Sequence, residues 1–231
     1  MKHFFTFIIF IQLFITIKGQ DITAPNRYKL DEYTFHFGFC LGLNMMNFII
    51  LPNYQYYKKD SLLGSISNPN LGFQIQIVTN LRLGEYFDMR FLPGIAFGER
   101  DLNFFRNGVP VGNAQQIESN FLEFPLLLKY KAKRLKNIRP YILTGANCRV
   151  DLAKSYNEEQ GVYIQLKKFD YYYEAGTGID FYLEYFKFST EIKYSLGLRN
   201  LIDQRTSNQP QFENSIDKLR SSMVMISFCF E

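Results

Sequence analysis

The sequence predicts an all-β fold, an eight-stranded antiparallel up-and-down transmembrane β-barrel behind an N-terminal signal peptide. Three observations carry this expectation. The last eleven residues alternate strictly, with Val224, Ile226, Phe228 and Phe230 on one face and Met223, Met225, Ser227 and Cys229 on the other. A terminus that frays has little use for Phe-x-Phe, whereas a closing barrel strand must seal against the first strand and show lipid an apolar stripe. At the other end, Lys2 precedes a predominantly apolar run from Phe4 to Ile17, followed by Lys18 and Gly19. That run of about 14 residues suits a secretory signal and is short for a membrane helix, which needs ~20. Third, long and short connections alternate along the whole chain.

The expected organisation is a signal peptide at 1–19, a periplasmic N-terminal segment at 20–33 and a barrel at 34–231. Cleavage leaves 212 residues, enough for one barrel, and no later apolar stretch could span as a helix. No cysteine follows the cleavage site, so a lipid anchor is not indicated. The 24 Phe and 16 Tyr suit strand faces and interfacial belts.

In the first strand Phe35, Phe37, Phe39, Leu41 and Leu43 alternate with His36, Gly38, Cys40, Gly42 and Asn44. The second sets Leu71, Phe73, Ile75 and Ile77 against Gly72, Gln74, Gln76 and Asn80, and the third sets Phe87, Met89, Phe91, Ile95 and Phe97 against Asp88, Arg90, Gly94 and Gly98. The fourth places Leu122, Phe124, Leu126, Leu128 and Tyr130 opposite Glu123 and Lys129. Ile142, Ala146, Cys148, Val150 and Leu152 oppose Asn147, Arg149 and Asp151 in the fifth, where Leu143 breaks the pattern. The sixth runs Phe169, Tyr171, Tyr173, Ala175, Ile179 and Phe181 against Asp170, Glu174, Gly176, Gly178 and Asp180. The seventh runs Phe186, Phe188, Ile192, Tyr194 and Leu196 against Lys187, Ser189, Glu191, Lys193 and Gly197, and the terminal segment makes eight. Pro93 and Pro125 each remove a donor inside a strand and are expected to mark bulges.

Connections 48–69, 99–116, 153–168 and 199–218 are long; those near 82–85, 131–138 and 183–185 are short. Outer-membrane barrels have long outer loops and short periplasmic turns, so both termini are expected in the periplasm. Tyr86, Phe87, Tyr130, Tyr141, Tyr182, Tyr185 and Phe186 flank the short turns as an expected aromatic girdle. A soluble lipocalin-like barrel, apolar inside and wet outside, is the competing reading of the alternation alone.

Eight strands leave no open channel, so Asp88, Arg90, Arg149, Asp151, Glu174, Asp180, Lys187, Glu191 and Lys193 are expected to form a buried, mutually paired network. Catalysis is not expected. His36 is the single histidine after signal removal, which excludes a multi-His metal site and reads as a packed lumenal residue. Gly176 and Gly178 lie within a strand and do not form a phosphate loop. No catalytic, cofactor-binding or metal-ligating residue is assigned, and a net charge of +4 in an exported chain does not point to nucleic acid. Cys40, Cys148 and Cys229 are an odd set, read as packing residues inside strands without a disulfide framework.

The basic run Lys129, Lys131, Lys133, Arg134, Lys136 and Arg139 surrounds the second short turn. It suits anionic phospholipid at the membrane surface, or an acidic periplasmic partner docking near Lys133, Arg134 and Lys136.

The stretches HFGFCLGLN (36–44), GFQIQIVTNLRLGEYFDMRFLPGIAFGER (72–100), ESNFLEFPLLLKYKAKR (118–134), RPYILTG (139–145) and FKFSTEIKY (186–194) resemble the PorT family. The most specific are NLRLGEYFD and LEFPLLLKYKAKR. The resemblance covers essentially all of the mature chain and implies an outer-membrane barrel needed by the type IX secretion system, which exports cargo and supports gliding motility in some Gram-negative bacteria. It implies outer-membrane lipid and other secretion-system proteins as partners, and no catalytic residues. The alternative is a stand-alone structural or adhesive barrel.

Overall fold

The computed structural model describes residues 33–66, 70–111, 115–153, 164, 166–202, 212 and 214–231. The signal peptide at 1–19 and nearly all of the segment at 20–33 lie outside the described residues. The elements are β1 Phe35–Pro52, α1 Tyr54–Asp60, β2 Leu62–Ile66, β3 Leu71–Arg82, β4 Phe87–Phe91, β5 Gly94–Arg106, β6 Val109–Pro110, β7 Gln115–Lys131, β8 Ile138–Asp151, β9 Phe169–Tyr182, β10 Lys187–Gly197 and β11 Ile216–Phe230.

β1 pairs antiparallel with both β3 and β11, and this closes the sheet into a ring. Around the ring the order is β1, β11, β10, β9, β8, β7, then β4 with β5, then β3, which is up-and-down topology with eight strands. β4 and β5 count as one strand, because Thr79↔Phe91 and Phe73↔Phe97 share a single register against β3. β2 and β6 extend β5 beyond the ring. No helix among the described residues is long and apolar enough to cross a membrane.

The expected bulges at Pro93 and Pro125 are absent. Register against β7 runs unbroken from Phe87↔Tyr130 to Leu102↔Gln115, and that of β7 against β8 from Phe121↔Asp151 to Lys131↔Tyr141. Each proline forfeits a donor while its carbonyl still accepts, from Ile77 N at 2.8 Å and from Leu92 N at 3.0 Å. One missing bond per strand does not require an extra residue.

Side-chain parity follows the sequence closely. Phe35 to Leu43, Leu71 to Ile77, Phe124 to Tyr130 and Val224 to Phe228 expose alternate apolar side chains on the outer wall, and the intervening residues are buried or half-buried. Leu143, the break in the fifth strand, faces inward with Val78, Leu92, Leu127 and Tyr141. Tyr141 and Tyr182 also turn inward, so the short-turn girdle consists of Tyr86, Phe87, Tyr130, Tyr185 and Phe186. Their parity explains it, since Tyr141 shares a face with Arg139 and Tyr182 shares one with Asp180.

The cysteines also depart from expectation. Cys40 and Cys229, opposite each other in the β1–β11 register, form a disulfide, and only Cys148 remains a free thiol. Two residues 189 positions apart meet because the first and last strands share the closing seam.

Strands continue further toward the long-loop end than their apolar outer faces do. β5 extends to Arg106, where Asn107 (φ 51°) and Gly108 (φ 79°) make a two-residue hairpin into β6. Positive φ at both central positions matches the strand twist, and Asn-Gly is the pair that adopts it most readily. Above this level an apolar cap fills the barrel mouth, with Phe48, Leu62, Leu102, Phe104, Ile117 and Leu219 among its members.

Candidate functional site

The lumen holds most of the buried charge, and it is organised in tiers. Nearest the short turns, Lys131 Nζ donates to Asp88 Oδ1 at 2.6 Å, and Asn80 donates to the other carboxylate oxygen at 3.0 Å. Lys187 Nζ reaches Glu231 Oε2 at 2.7 Å. Lys129 Nζ donates to both oxygens of Asp180, at 2.9 and 2.7 Å, and lies 3.6 Å from the centre of the Tyr141 ring.

The next tier centres on Arg90, which pairs with Glu191 and, at 3.1 Å, with Glu231. Tyr141 OH donates to the same Glu191 oxygen at 2.7 Å, and Lys193 Nζ lies 3.8 Å from the other. Gly178 makes this possible, because a Cβ there would fall 2.5 Å from the Tyr141 ring. Further on, Arg149 bridges Glu123 at 2.6 Å and Glu174 at 2.9 Å, with its guanidinium 4.2 Å from the centre of the Tyr172 ring. Gln76, Asn147 and Ser195 satisfy the same two carboxylates. Arg100 ends the series, donating to Ser119 at 2.6 Å and Ser221 at 2.9 Å beneath Phe48.

Eight of the nine charges expected in the network are buried within it. Asp151 instead lies half-buried at the end of β8, accepting backbone N–H bonds from Asn120 and Ala153. Glu231, Lys129, Lys131 and Glu123 complete it. Parity places these four, because Glu123, Lys129 and Lys131 lie on the face of β7 opposite Leu122, Phe124, Leu126 and Leu128, and Glu231 continues the inward face of Ser227 and Cys229. Most of these ions meet an opposite charge at close range, which is what makes their burial tolerable. The tiers fill the lumen with paired side chains.

The basic run around the second turn divides in two. Lys129, Lys131 and Arg139 are buried, which removes them from any docking surface. Arg139 donates to Ala132 O and Glu85 O, each at 2.8 Å, and so ties the second short turn to the first. Arg134 donates to Lys136 O at 2.7 Å with its guanidinium 3.6 Å from the centre of the Tyr182 ring, stiffening the turn. Exposed Lys133 and Lys136 flank Leu135, itself 68 % exposed at the tip.

His36 is buried at the start of β1, beside the Tyr33 ring. Among the described residues no group of three or more His, Cys, Asp or Glu could hold a metal. A hollow of about 490 Å³, lined by Asn53, Gln55, Tyr56, Lys58 and Asn214, lies beside α1 at the long-loop end.

A closed antiparallel ring with an apolar outer wall and a charged, filled interior inverts the order of a soluble lipocalin-like barrel. It is the architecture of an integral outer-membrane protein, whose wall meets lipid. Residues 20–203 match the outer membrane protein beta-barrel domain family, and the chain belongs to it. Among solved structures the chain is similar to Ail, the attachment invasion locus protein of Yersinia pestis, at 10 % identity and TM-score 0.37, covering 84 % of this chain and 96 % of that one. It is similar to the outer membrane protein AlkL at 11 % identity and TM-score 0.40, covering 94 % and 96 %. A third likeness, to the NanC porin, has 9 % identity and TM-score 0.22, covering 81 % and 98 %. No protein of curated function matches the chain.

Proposed function

We propose that the chain is a component or accessory of the type IX protein secretion system, an outer-membrane barrel of the PorT kind that acts through assembly or protein interaction and not through catalysis. Its short turns and both chain termini face the periplasm, as the alternation of long and short connections suggests. The observation that carries the reading is where its two most specific motifs meet. NLRLGEYFD spans the first short turn and LEFPLLLKYKAKR runs into the second, and Arg139 and the Lys131 N–H bond to Tyr86 O hold the two turns together. One small patch of the rim therefore gathers the residues that resemble the family, with Lys133 and Lys136 exposed on it for an acidic partner.

The test removes charge without touching the wall. Lys133→Glu with Lys136→Glu leaves Arg134 and Arg139 to hold the turn, so barrel abundance and heat-modifiable migration should persist. Secretion of type IX cargo should fall, since rim charges act on association more than on folding. Normal secretion at a normal barrel level would reject the docking surface. Normal secretion in a deletion strain would favour the stand-alone structural or adhesive barrel.

A further inference from the structure

The seam between β1 and β11 is the contact that turns a sheet into a barrel, and Cys40 and Cys229 sit across it. Both face the lumen, at 1 % and 0 % exposure, packed with Val78, Leu92, Leu127, Tyr141 and Leu143. β3 covers the far edge of β1, and β10 covers the far edge of β11. Charge tiers and the apolar cap fill the lumen on either hand. Thiol–disulfide exchange requires the attacking sulfur to reach its target directly, and it depends on access. A finished barrel gives an oxidising protein no route to these two sulfurs.

We propose that Cys40 and Cys229 are joined in the periplasm by a thiol–disulfide oxidoreductase acting before the barrel is packed, so that the terminal strands are tied together ahead of closure. One cysteine thiolate attacks the disulfide of the oxidant, forming a mixed disulfide and releasing one of the oxidant's thiols. The second thiolate then displaces the remaining oxidant sulfur. The chain loses two protons and two electrons, and the oxidant's disulfide becomes a dithiol. In the folded barrel Cys148 cannot pair with either of them, since Asn147 and Arg149 beside it face the lumen and it does not.

Two measurements on the full chain in its own cells test this. Protein from native outer membranes, denatured in a polyethylene glycol maleimide of a few kilodaltons, should gain one adduct unreduced and three after reduction. Three adducts without reduction would overturn the pairing. In a pulse-chase, samples quenched in acid and alkylated should show the one-adduct form arising before the heat-modifiable folded form. A folded form that still yields three adducts on denaturation, and becomes oxidised only later, would overturn the proposed order.

Discussion

On β5 and β7 the part nearest the short turns and the part nearest the long loops have opposite polarity. Toward the turns, β5 shows Ile95 and Phe97 outward, and the neighbouring lumen carries Arg90, Glu123 and Glu191. Toward the loops, Glu99, Asp101 and Asn103 occupy that outer face, while Leu102 and Phe104 enter the apolar cap. β7 repeats the change, from outward Leu122 and Phe124 to outward Asn120 and Glu118. On these two strands parity does not slip, yet polarity reverses. The first part has an apolar outer face over a charged lumen, and the second has a polar outer face over an apolar interior. A polarity change near Phe97 and Leu122 is the expected edge of the hydrocarbon on these strands.

The largest effect should come from breaking the charged tiers. Arg149→Met leaves Glu123 and Glu174 buried beside each other without their shared cation, which should cost about 3–5 kcal/mol in urea unfolding from lipid vesicles. Adding Glu123→Gln and Glu174→Gln should recover most of that loss, because an uncharged set carries no unpaired ion. Equal losses in the single and triple variants would mean that Arg149 matters for its packing on Tyr172 and not for its charge.

On the lipid side, Ile192 is 57 % exposed on the outer wall between Thr177 and Ile226. Ile192→Arg should cost roughly 2–4 kcal/mol if this level is near the membrane midplane. A cost near zero in vesicles would mean that water, not lipid, covers this wall.

These two parts were not equally legible in the sequence. Within the membrane a strict period of two, read against small and charged residues, assigns nearly every side chain, because lipid and lumen impose opposite demands on alternate residues. Chemistry misleads at the few residues whose side-chain type conflicts with their parity. Tyr141 and Tyr182 have the chemistry of girdle residues and Lys131 that of a solvent-facing one, but each is fixed by the faces of its neighbours. The ends of β5 and β7 extend beyond their sequence signal because the outer apolar face stops at the polarity reversal while the hydrogen-bonded ladder continues. Asn107-Gly108 was a usable hairpin signal there. The Cys40–Cys229 pair needed the closing register, which depends on residues 189 positions apart and leaves no local trace.

The reversal gives the smallest and most discriminating effect. Glu99 sits one outward step beyond Phe97 and directly opposite Glu118 across β5 and β7, so two carboxylates share one cross-strand pair. Like charges so placed are unfavourable, and an opposite pair contributes roughly 0.2–1 kcal/mol. Glu99→Arg should therefore leave stability unchanged or raise it by up to about 1 kcal/mol, although the same arginine on the same wall at Ile192 is strongly destabilising. The two variants differ chiefly in height along the barrel. If Glu99→Arg instead costs as much as Ile192→Arg in the same vesicles, hydrocarbon reaches past Phe97, and the boundary between the two parts lies closer to the loop tips than the polarity reversal places it.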